Sequence, residues 1–291
     1  MSGEVTIIGL GLITGSLAAA LKRRPDAPRI CVCGRDPARL QQAVQRGLAD
    51  RVEADWARAA QAAGRAAGQV VIGTPVGAMA EVLERIGPAL EDGVVVSDVG
   101  STKQSVVEAA RQVFGSVPPT LVPAHPIAGT EHSGFEHAVA GLYDGARVIL
   151  TPLPETDAGA VERVQRLWEQ AGARVSRLSP ERHDQALAAV SHLPHMLAYS
   201  LVAAIAASEQ ADELFDLAAG GFRDFTRIAS SDPVMWRDIC LANRAALGAA
   251  LQQFRGRLDA LAQAIERGDG DFLAQLFAGA KQARDQRLGD S

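Results

Sequence analysis

The chain has 291 residues, of which 47% are hydrophobic and 22% charged, so it is long enough for two domains with sizeable cores. Its formal net charge at pH 7 is −5 and it has no polybasic stretch, which argues against nucleic acid or an anionic membrane surface as a partner. Its three cysteines lack the spacing of a disulfide framework or zinc site, and its first apolar run is too short to span a membrane, so we expect a cytoplasmic protein.

The first predicted strand, Val5 to Ile8, leads directly into a glycine-rich segment and then an apolar helix. This order of strand, turn and helix is the one that a dinucleotide-binding loop requires. Gly9 would permit the tight turn, and Gly11 would let backbone N–H groups approach a pyrophosphate at the helix N-terminus. The cofactor-binding residues predicted in this loop are Gly9, Gly11, Leu12 and Ile13.

One position departs from the G-x-G-x-x-G pattern of such loops. The third glycine should fall at position 14, where the chain has Thr14, and Gly15 comes one residue late. Because that glycine allows the helix and the strand to pack closely, we expect a slightly wider turn here. A glycine-rich turn taken alone is also compatible with a plain turn, and it is the strands that follow which favour a cofactor site.

Further short apolar runs alternate with helical stretches through the first half of the chain. Continuous apolar runs suit strands that are buried on both faces, as in a parallel sheet covered by helices. The pattern therefore predicts a doubly wound, Rossmann-like α/β domain. The predicted strands after the first are Ile30 to Val32, Val70 to Ile72, Val94 to Val96, Leu121 to Val122, Val148 to Leu150 and Arg174 to Leu178. The Ala- and Gly-rich residues 57–68 are predicted to form a helix and a loop without a function.

The residues after the second predicted strand bear on the choice of cofactor. An NAD-specific fold usually has an acidic residue there to bind the ribose hydroxyls, but this chain has Gly34 followed by Arg35. A guanidinium matches the geometry of the 2′-phosphate of NADP, whereas Asp36 can still reach a ribose of NAD. We therefore expect NADP rather than NAD, and we assign Gly34, Arg35, Thr74 and Pro75 to the cofactor site.

Two motifs follow the next two predicted strands. Gly100-Ser101-Thr102-Lys103 comes after Val94 to Val96, and His125-Pro126-Ile127-Ala128-Gly129-Thr130-Glu131 comes after Leu121 to Val122. Both should emerge at the carboxyl edge of the sheet, where ligands bind in open α/β folds. A histidine there can accept a proton while a nearby nicotinamide accepts a hydride. Ser101 is also in place to cap the following helix, a role that is compatible with orienting a hydroxyl.

From Ser179 onward the pattern is helical almost to the end, so we expect a dinucleotide-binding domain at residues 1–178 and an all-helical domain at residues 179–291. Two long helices are predicted, Glu181 to Ala207 and Pro233 to Arg267. The second has an N-cap at Asp232 and a stop at Gly268, and would be about 50 Å long if unbroken. A domain of about 110 residues cannot easily bury so much apolar helix, so we expect a homodimer, with an extended single-chain bundle as the alternative.

The two carboxyl-edge motifs resemble those of the prephenate and arogenate dehydrogenases. The likeness continues in order through Ser191 to His195, Gly220 to Ala229 and Asp232 to Asp238, and so spans nearly the whole chain. It implies oxidative decarboxylation of a cyclohexadienol with NAD(P)⁺. His125 would accept the proton of the ring hydroxyl as hydride leaves the same carbon, while the ring carboxylate departs as carbon dioxide and the ring becomes aromatic. The implied catalytic residues are His125 and Ser101.

The resemblance also implies a set of substrate-binding residues. Arg227 would bind a substrate carboxylate through two parallel hydrogen bonds, with an ordinary surface ion pair as the alternative. His195 would contact the substrate's side chain with His192 nearby; no third ligand accompanies this pair, so we predict no metal site. The remaining members are Thr130 and Glu131, which would order or gate the pocket, and Gly220, Gly221 and Trp236, which would line it. For Trp236 a place in the helix core is an equal alternative, and His132, His137 and His183 receive no role.

Two rival functions are compatible with parts of the sequence. A β-hydroxyacid dehydrogenase or related reductase shares the domain order but usually relies on a lysine in the helical half, where this chain has only Lys281. A non-catalytic nucleotide-binding module would have no need of Ser101, His125 and Arg227 together. The sequence leaves open whether prephenate or arogenate is preferred and whether tyrosine inhibits.

Overall fold

A computed structural model of the protein describes residues 3–65, 68–130 and 132–289. The chain divides into two compact units, residues 1–244 and 245–291. The strands of the first unit are Val5–Ile8 (β1), Ile30–Cys33 (β2), Arg51–Glu53 (β3), Gln69–Ile72 (β4), Val95–Asp98 (β5), Leu121–Val122 (β6), Ala124–Ile127 (β7), Arg147–Leu150 (β8) and Arg174–Arg177 (β9).

The helices follow the same chain order. Those up to the end of the sheets are Leu12–Lys22 (α1), Pro37–Gln45 (α2), Trp56–Arg65 (α3), Met79–Ile86 (α4), Gln104–Phe114 (α5) and Ala158–Gln170 (α6). Those after the sheets are Pro180–Leu187 (α7), Leu193–Ala206 (α8), Ala211–Asp216 (α9), Gly220–Thr226 (α10), Pro233–Ala242 (α11), Arg244–Arg267 (α12) and Gly270–Leu288 (α13).

The main sheet has six parallel strands in the order β3-β2-β1-β4-β5-β6. The chain runs outward from β1 in one direction and then returns to start again at β4, so the strand order reverses between β1 and β4. The carboxyl ends of these two strands flank the crevice in which open α/β sheets bind their ligands. The predicted doubly wound domain followed by helices is confirmed.

Alternate residues of each strand face two different cores. Ile7 and Val32 pack with α1, α2 and α6, whereas Ile8 and Cys33 pack with α3, α4 and α5. Both faces are therefore covered, which explains why the strands read as unbroken apolar runs.

A second, three-stranded sheet in the order β7-β8-β9 stands beside the first. Strand β7 pairs antiparallel with β8, and His125 lies opposite Ile149, while β8 and β9 are parallel. The expectation that Val148 to Leu150 belongs to the parallel sheet was wrong, and the motif that starts at His125 begins inside a strand that the sequence pattern did not predict. Burial on two faces does not distinguish a parallel from a mixed sheet, and Pro126 concealed the short strand that carries His125.

The helical part of the first unit begins with one continuous run. Helices α7 and α8 are joined by a π-helical turn, Ala188–His192, and the run from Pro180 to Ala206 is long and apolar enough to cross a membrane by length and composition alone. Only 22% of its most apolar window is buried. Helix α7 packs against α5, and α11 packs against the turn Val76–Ala78 that follows β4. The functional boundary predicted between residues 178 and 179 lies inside this unit and stays a prediction.

The second long helix predicted from the sequence is interrupted. Helix α11 ends at Ala242, and Asn243 leaves the helical conformation with φ −110° and ψ 29° before α12 starts. The second unit contains most of α12 and then α13, separated by Gly268 with φ +67° and by Asp269, whose carboxylate accepts a hydrogen bond from the N–H of Phe272.

Candidate active site

The glycine-rich loop brings the ends of three strands together. Gly9 follows β1 with φ +88°, and its N–H donates to the carbonyl of Cys33 at the end of β2, 2.8 Å away. A Cβ at Gly9 would lie 2.8 Å from the backbone nitrogen of Thr74, just after β4. Both the backbone angle and the close approach therefore require glycine at this position.

Thr14 stabilises the same loop from inside the first turn of α1. Its hydroxyl donates to the carbonyl of Gly9 at 2.8 Å and accepts a hydrogen bond from the N–H of Gly11 at 3.1 Å. On the other side of the contact is Gly73, where a Cβ would overlap Thr14 Cγ2 and the Gly9 carbonyl oxygen. The close approach of helix and strand is thus provided by a glycine after β4, and the threonine adds two hydrogen bonds to the turn.

The groups around this loop fit a dinucleotide pyrophosphate. Helix α1 starts at Leu12, so the N–H groups of Leu12 and Ile13 belong to its first turn, where they have no partner within the helix. The positive end of the helix dipole points the same way. Thr74 contributes a buried hydroxyl without a hydrogen-bond partner among the described residues, and Pro75 beside it is exposed. These predicted cofactor residues lie at the reversal of strand order between β1 and β4.

The residues after β2 are open to a ligand. Gly34 is half-buried next to Leu40, and Arg35 is exposed. The Asp36 carboxylate caps α2 by accepting a hydrogen bond from the N–H of Arg39 at 2.9 Å. One carboxylate oxygen of Asp36 is therefore used in capping α2. Arg35 forms no ion pair with an acidic side chain among the described residues.

At the carboxyl end of β5, a buried ion pair ties the Ser101 turn to β7. Asp98 is paired with the ammonium of Lys103, and both side chains are fully buried. Asp98 also accepts hydrogen bonds from the N–H groups of Gly100 and Ala124, while Lys103 Nζ donates to the carbonyl of Ala124 at 2.6 Å. Burial lowers the pKa of Lys103, and Asp98 opposes that shift. Ala124, directly before His125, thus makes hydrogen bonds to this ion pair through both its N–H and its carbonyl.

Ser101 lies in the turn between β5 and α5 and is half-buried. Its predicted role as a helix cap is not seen, because the N-cap residue of α5 is Lys103. The cap is supplied from another helix: the Asp184 carboxylate accepts hydrogen bonds from the N–H groups of Lys103 and Gln104 at 2.8 and 3.0 Å. Among the described residues, no hydrogen bond to the Ser101 hydroxyl is seen, so that hydroxyl can make a different contact.

His125 stands at the start of a chain of three side chains. Its Nδ1 lies 2.9 Å from Nε2 of His183, and Nδ1 of His183 lies 2.7 Å from Oδ1 of Asp184. Burial lowers the pKa of His125 well below its usual value, and the charge of Lys103, together with any charge on His183 or His192 when they are protonated, acts in the same direction. His125 is therefore neutral near pH 7 and in the form that can accept a proton.

The segment after His125 returns to the cofactor helix. A Cβ at Gly129 would lie 3.8 Å from Ile13 Cδ1, and Tyr143 donates its hydroxyl hydrogen to the carbonyl of Ile13. The N–H of Val139 donates to Ser16 Oγ at 3.0 Å. The predicted base and the predicted pyrophosphate site are consequently parts of one packed unit.

His192 and His195 flank Trp236 beside this chain. The His195 ring stacks on Trp236 with 3.7 Å between centroids, and the His192 ring meets the same indole edge-on at 6.0 Å. Asn243 Nδ2 donates both to His192 Nδ1 at 3.1 Å and to the carbonyl of Asp184 at 2.8 Å. Burial lowers the pKa of His192 to about 4. A neutral His192 whose Nδ1 accepts a hydrogen bond must carry its own hydrogen on Nε2.

His195 has the opposite arrangement. Its Nδ1 donates to the carbonyl of Ser191 at 2.9 Å, so a neutral ring leaves Nε2 as an acceptor. Burial lowers the pKa of His195, and the charge of Arg227 adds to the effect. Arg227 is exposed on the turn Arg227–Ser230, which packs against α8, the helix that carries His195.

The other predicted substrate-binding residues make no hydrogen bond to His125, His192 or His195 among the described residues. Gly220 and Gly221 form the exposed first turn of α10, which packs on α8. Thr130 is exposed in the segment after β7, and Glu131 lies outside the described residues. In the part of the chain that the structure describes, no group of three or more His, Cys, Asp or Glu side chains is arranged to hold a metal ion.

Three site residues were missed by the sequence analysis: His183, Asp184 and Asn243. Each reaches the site across a long stretch of chain, since His183 contacts a histidine 58 residues away and Asp184 bonds to backbone 81 residues away. The only local signal is a histidine followed by an aspartate just after the helix start at Ser179 and Pro180, and a pattern that short is usually a solvent-exposed helix turn.

Comparison with family models and relatives gives a consistent result. The model of the prephenate dehydrogenase nucleotide-binding domain matches residues 17–177, and the model of the prephenate dehydrogenase dimerization domain matches residues 179–279. A cyclohexadienyl dehydrogenase of Zymomonas mobilis is 37% identical over 283 residues, which cover 97% of this chain and 94% of the relative. A prephenate dehydrogenase of Bacillus subtilis is 37% identical over 287 residues, which cover 98% of this chain and 76% of the relative.

Solved structures agree with these matches. Prephenate dehydrogenase from Aquifex aeolicus, in complex with hydroxyphenyl propionate and NAD⁺, has a TM-score of 0.89 and 34% identity, covering 98% of each chain. Arogenate dehydrogenase from Synechocystis has a TM-score of 0.81 and 31% identity, covering 97% of this chain and 99% of the other. A pyrroline-5-carboxylate reductase from Coxiella burnetii, with a TM-score of 0.51 and 17% identity, is similar in fold alone.

Proposed function

Because the chain belongs to the prephenate dehydrogenase family, we propose that it oxidatively decarboxylates prephenate, arogenate or both, with a nicotinamide dinucleotide as hydride acceptor. The observation that carries this proposal is the neutral, half-buried His125, which lies at the carboxyl edge of the sheet and is packed against the cofactor helix through the segment that follows it. A base in that position serves a reaction in which a hydroxyl group loses its proton while the carbon that carries it loses a hydride.

The cofactor residues are those around the reversal of strand order. The N–H groups of Leu12 and Ile13 would bind the pyrophosphate, while Gly9 and Gly11 allow its close approach and Thr74 offers its unpaired hydroxyl. When bound, the nicotinamide supplies the hydride acceptor. Thr14 and Gly73 keep this loop in shape without contacting the ligand.

The proton is handled by His125 and Ser101. His125 Nε2 would accept the proton of the ring hydroxyl, and Ser101 would hold that hydroxyl by a hydrogen bond of its own. The buried pair of Asp98 and Lys103 would keep His125 and Ser101 in position relative to each other. It forms hydrogen bonds with the N–H and the carbonyl of Ala124, next to His125, and with the N–H of Gly100, next to Ser101. Such fixed positioning reduces the reorganisation needed in the transition state.

Substrate binding would use the groups on the helical side. Arg227 would bind a carboxylate of the substrate, and His195 would face the side-chain carbonyl or amine that distinguishes prephenate from arogenate. His192 presents an N–H and His195 presents a lone pair, so the site offers one donor and one acceptor. This combination supports the use of both substrates, because a carbonyl needs a donor and an ammonium needs an acceptor. Trp236 would support His195 by stacking, and Gly220, Gly221, Thr130 and Glu131 would border the pocket.

For the cofactor we propose a preference for NADP over NAD. Gly34 occupies the place of the usual acidic residue, Arg35 is exposed next to it, and the Asp36 carboxylate is engaged as the cap of α2. Gly34→Asp should move the preference toward NAD by about tenfold or more in the ratio of kcat/KM values, since a carboxylate can accept the ribose hydroxyls and repels a 2′-phosphate. The added Cβ would lie 3.2 Å from Leu40 Cδ1, so a shift of a few tenths of an ångström in that side chain would accommodate it and the variant should fold. As the matched variant, Arg35→Gln should raise KM for NADP⁺ and leave KM for NAD⁺ unchanged; equal effects on both cofactors would contradict the assignment.

A homodimer is proposed for the assembly. The family model that matches residues 179–279 is a dimerization domain, and the long apolar run from Pro180 to Ala206 is mostly uncovered in one chain. A second copy would cover it more simply than a membrane would. We further propose cytoplasmic localisation and a domain boundary near residue 178, which is supported by the change from one family model to the other between residues 177 and 179.

The direct test of the proposed function is a steady-state assay of purified protein with each substrate and each cofactor, followed by the absorbance of the reduced dinucleotide. Turnover of prephenate or arogenate with release of carbon dioxide is expected. Oxidation of a simple β-hydroxyacid with no turnover of either cyclohexadienol would favour the reductase-like alternative, and cofactor binding with no turnover at all would favour a non-catalytic module.

A further inference from the structure

We propose that His183 and Asp184 are positioning residues that fix the tautomer of His125, so that His125 carries its hydrogen on Nδ1 and presents the lone pair of Nε2 to the substrate's ring hydroxyl. The proposal rests on the proposed function, in which His125 is the base. It follows from two hydrogen bonds whose directions are determined one after the other, beginning at Asp184.

Asp184 determines the direction of the first hydrogen bond, the one to His183, because an ionised carboxylate can only accept hydrogen bonds. Its two carboxylate oxygens receive the N–H groups of Lys103 and Gln104 and the Nδ1 of His183. Burial alone would raise the pKa of Asp184, but the hydrogen bond from His183 and those from the backbone of Gln104 and Lys103 outweigh burial and hold the pKa below its usual value. An ionised carboxylate has no hydrogen to give, so His183 must carry a hydrogen on Nδ1.

The direction of the second hydrogen bond, between His183 and His125, follows from the burial of His183. Its side chain is fully buried, and a second proton would add a cation next to His125, which already faces the buried Lys103 ammonium and His192. The neutral His183 ring therefore has a lone pair on Nε2, and His125 must donate to it from Nδ1 across 2.9 Å. A neutral His125 with hydrogen on Nδ1 has its lone pair on Nε2, the nitrogen that remains for the substrate.

The same carboxylate also connects the base to the Ser101 turn. Asp184 bonds to the backbone of Lys103 and Gln104, two and three residues after Ser101, and through His183 it orients His125. During the reaction the O–H bond of the ring hydroxyl breaks and an N–H bond forms at His125 Nε2. The C–H bond of the same carbon would supply the hydride to a bound dinucleotide, and the C–C bond to the ring carboxylate would break to release carbon dioxide. The positive charge that forms on His125 is then stabilised by Asp184 through the intervening ring, with no further proton transfer needed.

The tautomer is measured directly by long-range ¹H–¹⁵N correlation spectra of the ¹⁵N-labelled full-length protein, with the His125 signals assigned by comparison with His125→Asn. The expected pattern is a protonated Nδ1 and an unprotonated Nε2 near neutral pH. A protonated Nε2 on His125 would overturn the proposal whether or not the protein is active, so this result is separate from any failure of the proposed function.

Two variants of His183 test the acceptor that faces His125. His183→Leu removes it and should lower kcat by about 100-fold or more with little change in the dissociation constant of NADP⁺. His183→Gln supplies an amide oxygen near the position of Nε2 and should recover at least about tenfold of that loss. Equal losses in the two variants would contradict a role in setting the tautomer and would indicate packing alone.

A charge-removing variant gives a readout that a structural role would not change. Asp184→Asn removes the carboxylate that stabilises the His125 imidazolium, so the acidic limb of the kcat profile should move to lower pH while the plateau falls. The charged or titratable groups facing His125 that stay in place are Lys103, His183 and His192. The matched control is Asp157→Asn, which removes the carboxylate that caps α6 away from the site and should leave the limb in place. An unmoved limb in Asp184→Asn would contradict the proposal, and if that variant fails to fold, the spectra of the wild-type protein and the His183 variants decide.

Discussion

At the residue scale, the candidate site contains imidazoles whose neighbours determine which nitrogen is available. Asn243 donates to Nδ1 of His192, which leaves an N–H on the far side of that ring. The carbonyl of Ser191 accepts from Nδ1 of His195, which leaves a lone pair on the far side of that one. Two rings of the same chemistry thus offer opposite hydrogen-bonding groups to a ligand.

This difference leads to a prediction about substrate preference. His195→Leu should lower kcat/KM for arogenate about tenfold or more relative to prephenate, because the lost acceptor would face the ammonium group of arogenate. The measurement is the ratio of the two kcat/KM values in the variant and in the wild type. His195→Gln, which retains an acceptor, is the matched control and should keep the ratio close to that of the wild type. If His195→Leu weakened both substrates equally, His195 would not distinguish them.

Sequence reasoning could find His125 and Ser101 because each belongs to a motif of several consecutive residues. It could not find His183, Asp184 or Asn243, because their importance comes from contacts between residues 51 to 81 positions apart. A single histidine or asparagine in a helical stretch gives no local sign that it is buried against another element. The hydrogen bonds that hold His125 therefore became visible only in the folded chain.

At the element scale, the cofactor loop shows how a departure from a motif can be accommodated. Thr14 replaces a glycine in α1, and Gly73 after β4 provides the space that the missing glycine would have given. The threonine hydroxyl then bonds to both Gly9 and Gly11. From the motif alone, the substitution indicated a wider turn, because a one-dimensional pattern does not include the residue on the neighbouring strand.

The hydroxyl of Thr14 can be tested apart from its size. Thr14→Val has nearly the same shape but leaves the carbonyl of Gly9 and the N–H of Gly11 without their partner, so it should lower the free energy of unfolding by about 1–3 kcal/mol and weaken dinucleotide binding. Thr14→Ser keeps the hydroxyl and should remain close to the wild type in binding. Urea unfolding and titration with NADP⁺ measure the two effects. Wild-type binding in Thr14→Val would show that the two hydrogen bonds do not shape the loop.

The strands that sequence reasoning missed were short or contained an unfavourable residue. Strand β3 has three residues, Arg51–Glu53, two of them charged, and β7 contains Pro126. Helix α11 was predicted to continue because neither Asn243 nor its neighbours is a strong helix breaker, yet the Asn243 side chain is used by Asp184 and His192. The strands β1, β2 and β4 were predictable because burial on two faces selects mainly apolar residues, which distinguish them from the surrounding sequence.

At the scale of the whole molecule, the buried histidines link stability to pH. The pKa of His192 is about 4 in the folded protein, below the value of about 6.5 expected for an unfolded chain. Between these values the unfolded state binds more protons than the folded state, so the free energy of unfolding decreases as pH falls. The lowered pKa of His125 acts in the same direction.

The expected size of the His192 effect is about 2 kcal/mol between about pH 7.5 and about pH 5. His192→Asn retains an oxygen that can accept from Asn243 but does not titrate, so the loss of stability over this range should be smaller by that amount than in the wild type. Urea unfolding of both proteins at the two pH values measures it. Identical pH dependence in the two proteins would mean that His192 is protonated in the folded state or exposed to solvent.

The central claim concerns the whole assembly of cofactor loop, base and substrate residues, and it is tested most directly by His125→Asn. We expect this variant to bind NADP⁺ with a dissociation constant close to that of the wild type and to lose at least about 10³-fold in kcat on prephenate or arogenate, since binding is retained and the proton acceptor is removed. A kcat near the wild-type value in a correctly folded His125→Asn protein would contradict the assignment of His125 as the base.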